Sequence, residues 1–205
     1  MNEIGIFGGT FDPPHLGHIV CAKHLLQTRI IEKLLIVPAF SPPHKTYKIT
    51  DFEHRLNMLK LSFEGISDIE FSTIERILRK PNYSYITLRK LKEAHPNWNM
   101  HFIIGLDNLL SIHTWKNYKT LIKENNFILI NRGGYRIKYL DCKNLTLSEY
   151  NKLTKNTIKT PRLNISSTKL REDLFNNKKT VLKHLTKKVF EYIKDNKLYI
   201  SGLKS

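Results

Sequence analysis

Short apolar runs alternate with helix-length segments along most of this chain, and that alternation constrains the fold more than any other feature. Residues 3–7 (EIGIF), 34–39 (LLIVPA), 69–75 (IEFSTIE), 99–105 (NMHFIIG) and 127–132 (FILINR) read as strands. Helices are expected over 17–30, 52–64 and 87–95. In the second, Phe52, Leu56, Leu59 and Phe63 recur at helical spacing after a cap at Thr50 or Asp51. Strands separated by helix-length connections imply right-handed crossovers and a mostly parallel sheet. The expected fold is therefore α/β and Rossmann-like: an open, mostly parallel sheet with helices on both faces. Residues 135–160 are polar and show no clear period. Beyond them, Ser166, Ser167 and Thr168 suit a helix start, and Val181, Leu182, Leu185, Val189 and Ile193 mark a final helix. A domain over 1–160 with a small C-terminal helical appendage over 161–205, forming one compact unit, is the organisation expected.

Composition narrows the class. At 205 residues and 40% hydrophobic content, the chain suits a globular unit that buries a sizeable core. No apolar stretch approaches the roughly 20 residues a membrane span needs, and no secretory leader pattern is seen. Cys21 and Cys142 have no metal-ligand spacing and are expected as free thiols in the cytoplasm. The formal net charge of +16 invites a polyanion as partner. Yet the lysines are spread along the chain with no nucleic-acid motif, so nucleic acid is not the partner expected. A homo-oligomer is left open.

One stretch concentrates special residues: GIFGGTFDPPHLGH, Gly5 to His18, between an expected strand and an expected helix. Gly8 and Gly9 let backbone N–H groups approach a ligand. Pro13 and Pro14 stiffen the turn. His15 and His18, three apart, share one face at a helix start, where free N–H groups and the helix dipole favour an anion. Gly17 leaves room beside them. A triphosphate meets these demands. A metal pair would need a third ligand nearby, and none is seen. Two other segments, GLDN at 105–108 and NRGG at 131–134, also follow expected strands. In open parallel sheets, ligands bind beyond such strand ends.

GGTFDPPHLGH resembles the signature of the nucleotidyltransferases that carry a His-x-Gly-His motif. The longer pattern is similar to one branch, bacterial nicotinate-nucleotide adenylyltransferase. SPPHK (41–45), RLNML (55–59), FIIGLDN (102–108), NRGGY (131–135), ISSTKLR (165–171) and YIKDNKLY (192–199) follow in that family's order. The resemblance covers nearly the whole chain. It implies transfer of AMP from ATP to nicotinate mononucleotide, giving the dinucleotide and pyrophosphate in NAD biosynthesis. Catalysis of this kind is positioning and charge stabilisation, so no protein nucleophile is needed.

By resemblance, Gly8, Gly9, Thr10 and Phe11 line the nucleotide crevice. His15 and His18 hold the ATP phosphates, and His18 stabilises charge developing at the α-phosphorus. Ser166, Ser167 and Thr168 open a helix which, with Arg171, grips the β- and γ-phosphates. Gly105, Asp107 and Asn108 serve the ribose, and Arg132 adds positive charge. Lys45 meets the substrate phosphate, Thr87 lies near the nicotinate carboxylate, and Trp115 with Tyr118 faces the pyridine ring. Mg²⁺ is expected through the ATP phosphates, with no dedicated protein metal site. One departure stands out: Ile86 occupies the place of the family's usual aspartate. That bears on the choice between nicotinate and nicotinamide mononucleotide. Related activities on nicotinamide mononucleotide or phosphopantetheine are the alternatives within the superfamily. A non-catalytic, basic nucleic-acid-binding protein is the alternative of another class.

Overall fold

A computed structural model describes residues 2–43, 48–133, 138–161 and 165–199. Six strands form one sheet: β1 (Asn2–Gly9), β2 (Lys33–Pro38), β3 (Ile69–Phe71), β4 (Trp98–Gly105), β5 (Asn126–Arg132) and β6 (Thr157–Thr160). Every pairing is parallel, in the order β3-β2-β1-β4-β5-β6. The order reverses between β1 and β4, and a crevice opens beyond the carboxyl ends of strands at such a point.

Alternation along the strands builds two cores. Ile4, Ile6, Leu35, Val37, Phe102, Ile104, Phe127 and Leu129 face one side. Phe7, Leu34, Ile36, Ile103, Ile128 and Ile130 face the other. This is the period-2 pattern of a sheet covered on both faces. The covering helices are α1 (Leu16–Gln27), α2 (Phe52–Ser62), α3 (Ser84–Ala94), α4 (Leu106–Ser111), α5 (Tyr118–Glu124) and α6 (Leu147–Thr154).

Two C-terminal helices follow, α7 (Ser167–Phe175) and α8 (Lys187–Asp195). They do not close a core by themselves. Met58 of α2 is buried in one cluster with Leu170, Leu174, Val189 and Ile193. Tyr192 fastens the same contact by polar bonds, its hydroxyl accepting from Asn57 Nδ2 (3.2 Å) and lying 3.0 Å from His54 Nδ1.

Several elements differ from expectation. The segment 69–75 pairs only through Phe71; residues 74–76 then coil into a 3-10 turn that aims Glu75 inward. Helix α3 starts at Ser84, and α1 ends at Gln27. The polar region after 135 holds both α6 and the sixth strand. Cys21 and Cys142 are free and buried. Among the described residues, no helix is long and apolar enough to cross a membrane.

Candidate active site

The crevice beyond β1 and β4 offers about 660 Å³, within the ~300–1,000 Å³ of small-molecule sites. Its first wall is the turn from β1 into α1. Gly9 has no room for a side chain, because a Cβ there would lie 2.9 Å from the Phe11 ring. Phe11 takes a left-handed φ of 50°, uncommon for a bulky residue. It is wedged edge-on against Phe7 (5.6 Å) and His18 (5.0 Å). Gly8, Thr10 and the two histidines line the same wall.

The histidines are organised as a pair. Their rings stack at 3.7 Å and 25°. The His15 backbone N–H donates to His18 Nδ1 at 3.1 Å. A backbone N–H can only donate, so Nδ1 of His18 accepts and its neutral ring carries the proton on Nε2. Gly17 makes the arrangement fit: a Cβ there would sit 2.9 Å from His15 Nδ1. Burial, then Arg132 and His184, lower the His15 pKa from 6.5 to about 3. Burial first, then His15 and Arg132, hold His18 well below its ordinary value. Both rings are therefore neutral near pH 7.

The facing wall is the start of α7. The Ser166 hydroxyl caps it, accepting from Lys169 N at 3.2 Å. Ser167 donates to the Pro13 carbonyl (2.9 Å), and Arg171 Nη1 donates to the Asp12 carbonyl (2.7 Å). Arg171 Nη2 lies 3.3 Å from Thr168 Oγ1. Two motifs some 150 residues apart are thus bolted together around one turn. Arg132, at the end of β5, also lines the cleft.

At the other end, Gly105 clears space for Asp107, since a Cβ would meet Asp107 Oδ1 at 2.5 Å. Asn108 and Trp115 line this end, and Trp115 packs against Phe102 at 6.3 Å. Tyr118 is placed differently: it is not among the lining residues and packs against the hydrophobic core. Thr87 lines the cleft, but Ile86 does not. Lys45 lies outside the described residues. No group of three or more His, Cys, Asp or Glu is placed to hold a metal ion among the described residues.

Sequence reasoning missed several residues of the cleft. Glu75 is buried; its Oε1 accepts from the Thr87 hydroxyl (2.9 Å) and its Oε2 from Phe40 N (3.0 Å). Burial raises its pKa. Asn82 clamps the same corner, accepting from Ser41 N (2.9 Å) and donating to the Glu75 carbonyl (3.1 Å). Asp12, 1% exposed, lines the cleft inside the Gly-Pro-His stretch itself. Arg55 of RLNML, also 1% exposed, lies behind the lining and donates to the Thr10 carbonyl.

Known proteins resemble the chain along its length. The cytidylyltransferase-like family model matches residues 6–173. A Bacillus cereus protein named "Probable nicotinate-nucleotide adenylyltransferase" is 36% identical over 98% of this chain and 100% of its own. An Oceanobacillus iheyensis protein of the same name is 30% identical over 98% and 99%. The solved structure of Plasmodium falciparum nicotinic acid mononucleotide adenylyltransferase complexed with NaAD superposes with a TM-score of 0.81. It is 26% identical and covers 97% of this chain and 98% of that one. By fold, by cleft and by full-length kinship, this chain belongs to the nicotinate-nucleotide adenylyltransferases of the cytidylyltransferase-like family.

Proposed function

We propose that the chain transfers AMP from ATP to nicotinate mononucleotide. An oxygen of the mononucleotide's phosphate attacks the α-phosphorus of ATP. The bond to the α–β bridging oxygen breaks, and pyrophosphate leaves. The observation that carries this reading is the pairing of two walls, the histidine turn and the start of α7, across one crevice.

Each wall has a distinct task. His18 presents Nε2–H as a neutral donor to the α-phosphate, where charge grows in the transition state. It serves as neither nucleophile nor base. Ser167, Thr168 and Arg171 receive the β- and γ-phosphates, with Arg132 adding charge above them. Gly8, Gly9 and Thr10 give the backbone close approach. Asp107 takes ribose hydroxyls, and Trp115 offers a flat face to the pyridine ring. The Thr87 hydroxyl donates its hydrogen bond to Glu75 Oε1, so it faces the substrate as a fixed wall with no donor to spare.

Mg²⁺ fits as a companion of the ATP phosphates. The carboxylates nearest the turn are occupied: Asp12 accepts from Tyr199 and Thr50, and Glu75 from Thr87 and Phe40. The ion supplies charge neutralisation on phosphate oxygens when bound.

Pyrophosphate release tests the proposal. ATP with nicotinate mononucleotide and Mg²⁺ should give rapid release, and either substrate alone should give none. Faster turnover with nicotinamide mononucleotide or phosphopantetheine would overturn the choice of acceptor.

A further inference from the structure

Two segments that resemble the family, RLNML and YIKDNKLY, have no part in the reaction proposed above. Both converge on Asp12. Its carboxylate Oδ1 accepts from the Tyr199 hydroxyl at 2.5 Å, and its Oδ2 from Thr50 N at 3.3 Å. Its carbonyl accepts from Arg171 at 2.7 Å. Arg55 closes the ring from the other side. Its Nε donates to the Thr50 carbonyl and its Nη1 to the Thr10 carbonyl, both at 2.8 Å. One buried residue of the phosphate turn is therefore bonded to three distant places, Thr50, Arg171 of α7 and the chain beyond α8, while Arg55 of α2 braces Thr50 and Thr10 on either side of it.

The route by which Tyr199 arrives is costly. After α8, Lys197 takes a φ of 51° and Tyr199 a φ of 59°, both in the left-handed region that favours glycine. Such conformations persist only where surrounding contacts over-determine them. The contacts here are the Asp12 bond and packing of Leu198 and Tyr199 against the C-terminal cluster.

We propose that Tyr199 is a positioning residue for the polyphosphate cradle. Its hydroxyl holds the Asp12 carboxylate, and Asp12 in turn sets the spacing between the histidine turn and α7. The inference rests on the reading of the cleft as an ATP site. It concerns neither the acceptor nor the chemical step.

The test uses the full chain and calorimetric titration with ATP and with adenosine. Tyr199→Phe releases the Asp12 carboxylate in the free and the ATP-bound protein alike, so its effect on ATP is that of a loosened cradle and not the energy of the bond itself. ATP binding should weaken by about tenfold, while adenosine binding stays within about twofold, because adenosine makes no polyphosphate contact. Asp12→Asn should reproduce the loss, and adding Tyr199→Phe to it should cost nothing further. Unchanged ATP affinity in Tyr199→Phe would overturn the proposal. So would equal losses for ATP and adenosine, which signal general loosening, or strictly additive losses in the double variant. Should Tyr199→Phe not fold, the ATP-to-adenosine ratio in Asp12→Asn decides alone. Wild-type turnover with nicotinate mononucleotide is a separate readout: its absence would sink the transfer reaction while leaving this comparison intact.

Discussion

Replacing His18 by alanine should damage turnover far more than ATP binding. In the proposed reaction the ring does two jobs through two nitrogens. Nδ1 accepts the His15 N–H at 3.1 Å, which leaves Nε2–H as the donor of a ring that lines the cleft. Alanine removes both. Losing a preorganised transition-state donor costs about 10²–10³-fold in kcat, or roughly 3–4 kcal/mol. Losing the acceptor leaves the His15 N–H short of a partner, which costs about 1–3 kcal/mol of stability. The two losses separate experimentally. Steady-state pyrophosphate release reads the first, and urea unfolding reads the second. Glutamine sharpens the test, because its amide N–H₂ reaches toward the position of Nε2. His18→Gln should recover a substantial part of kcat over His18→Ala while remaining destabilised. A His18→Ala enzyme with near-normal kcat would refute the reasoning. Glutamine no better than alanine would remove the donor from the account.

Three further outcomes follow from the geometry. His15 has its folded pKa depressed to about 3 from 6.5, so the unfolded chain binds the extra proton first. Stability should fall as pH drops from about 6.5 toward 3, at up to about 1.4 kcal/mol per unit; denaturation of His15→Gln across pH should lack this contribution, and equal slopes would contradict it. Gly17→Ala should leave stability nearly unchanged, since the about 1 kcal/mol by which alanine favours a helix offsets the crowding of its Cβ against the His15 ring. It should nevertheless cut kcat by about tenfold or more, because its Cβ displaces the His15 ring. Trp115→Ala should raise KM for nicotinate mononucleotide by about tenfold while leaving KM for ATP within about twofold; aromatic stacking of this order is worth about 1–1.5 kcal/mol.

The parts of this molecule that sequence reveals are those where residue type carries chemistry. Paired glycines, prolines and spaced histidines are hard to explain as filler, and the Ser-Ser-Thr start of α7 has a capping logic of its own. The sheet was visible wherever both faces are covered, because such strands are continuous apolar runs. β6 escaped for the opposite reason. It is a four-residue edge strand, TIKT, in which Ile158 is the one apolar residue, so no apolar run marks it. Glu75 escaped because IEFSTIE opens as a strand, apolar at Ile69 and Phe71, and reads as one throughout, whereas the backbone leaves the ladder after Phe71. Tyr118 sits at helical spacing behind Trp115, which predicts a shared face; both rings pack on one core cluster, but with a left-handed residue, Asn117 (φ 53°), between them, only Trp115 lines the cleft. Asp12 and Tyr199 are 187 residues apart, and no local pattern announces a bond across that distance.

The linkage between the first turn of the chain and residues near position 199 also fixes an order of events during synthesis. The ribosome delivers β1 and the histidines first, and chains begin to fold from that end. The helix that faces the phosphates, and the tyrosine that steadies Asp12, arrive 154 and 187 residues after their partners in the turn. Until they do, the nascent cleft has one wall, so the growing protein carries a nucleotide pocket that cannot yet close on a nucleotide.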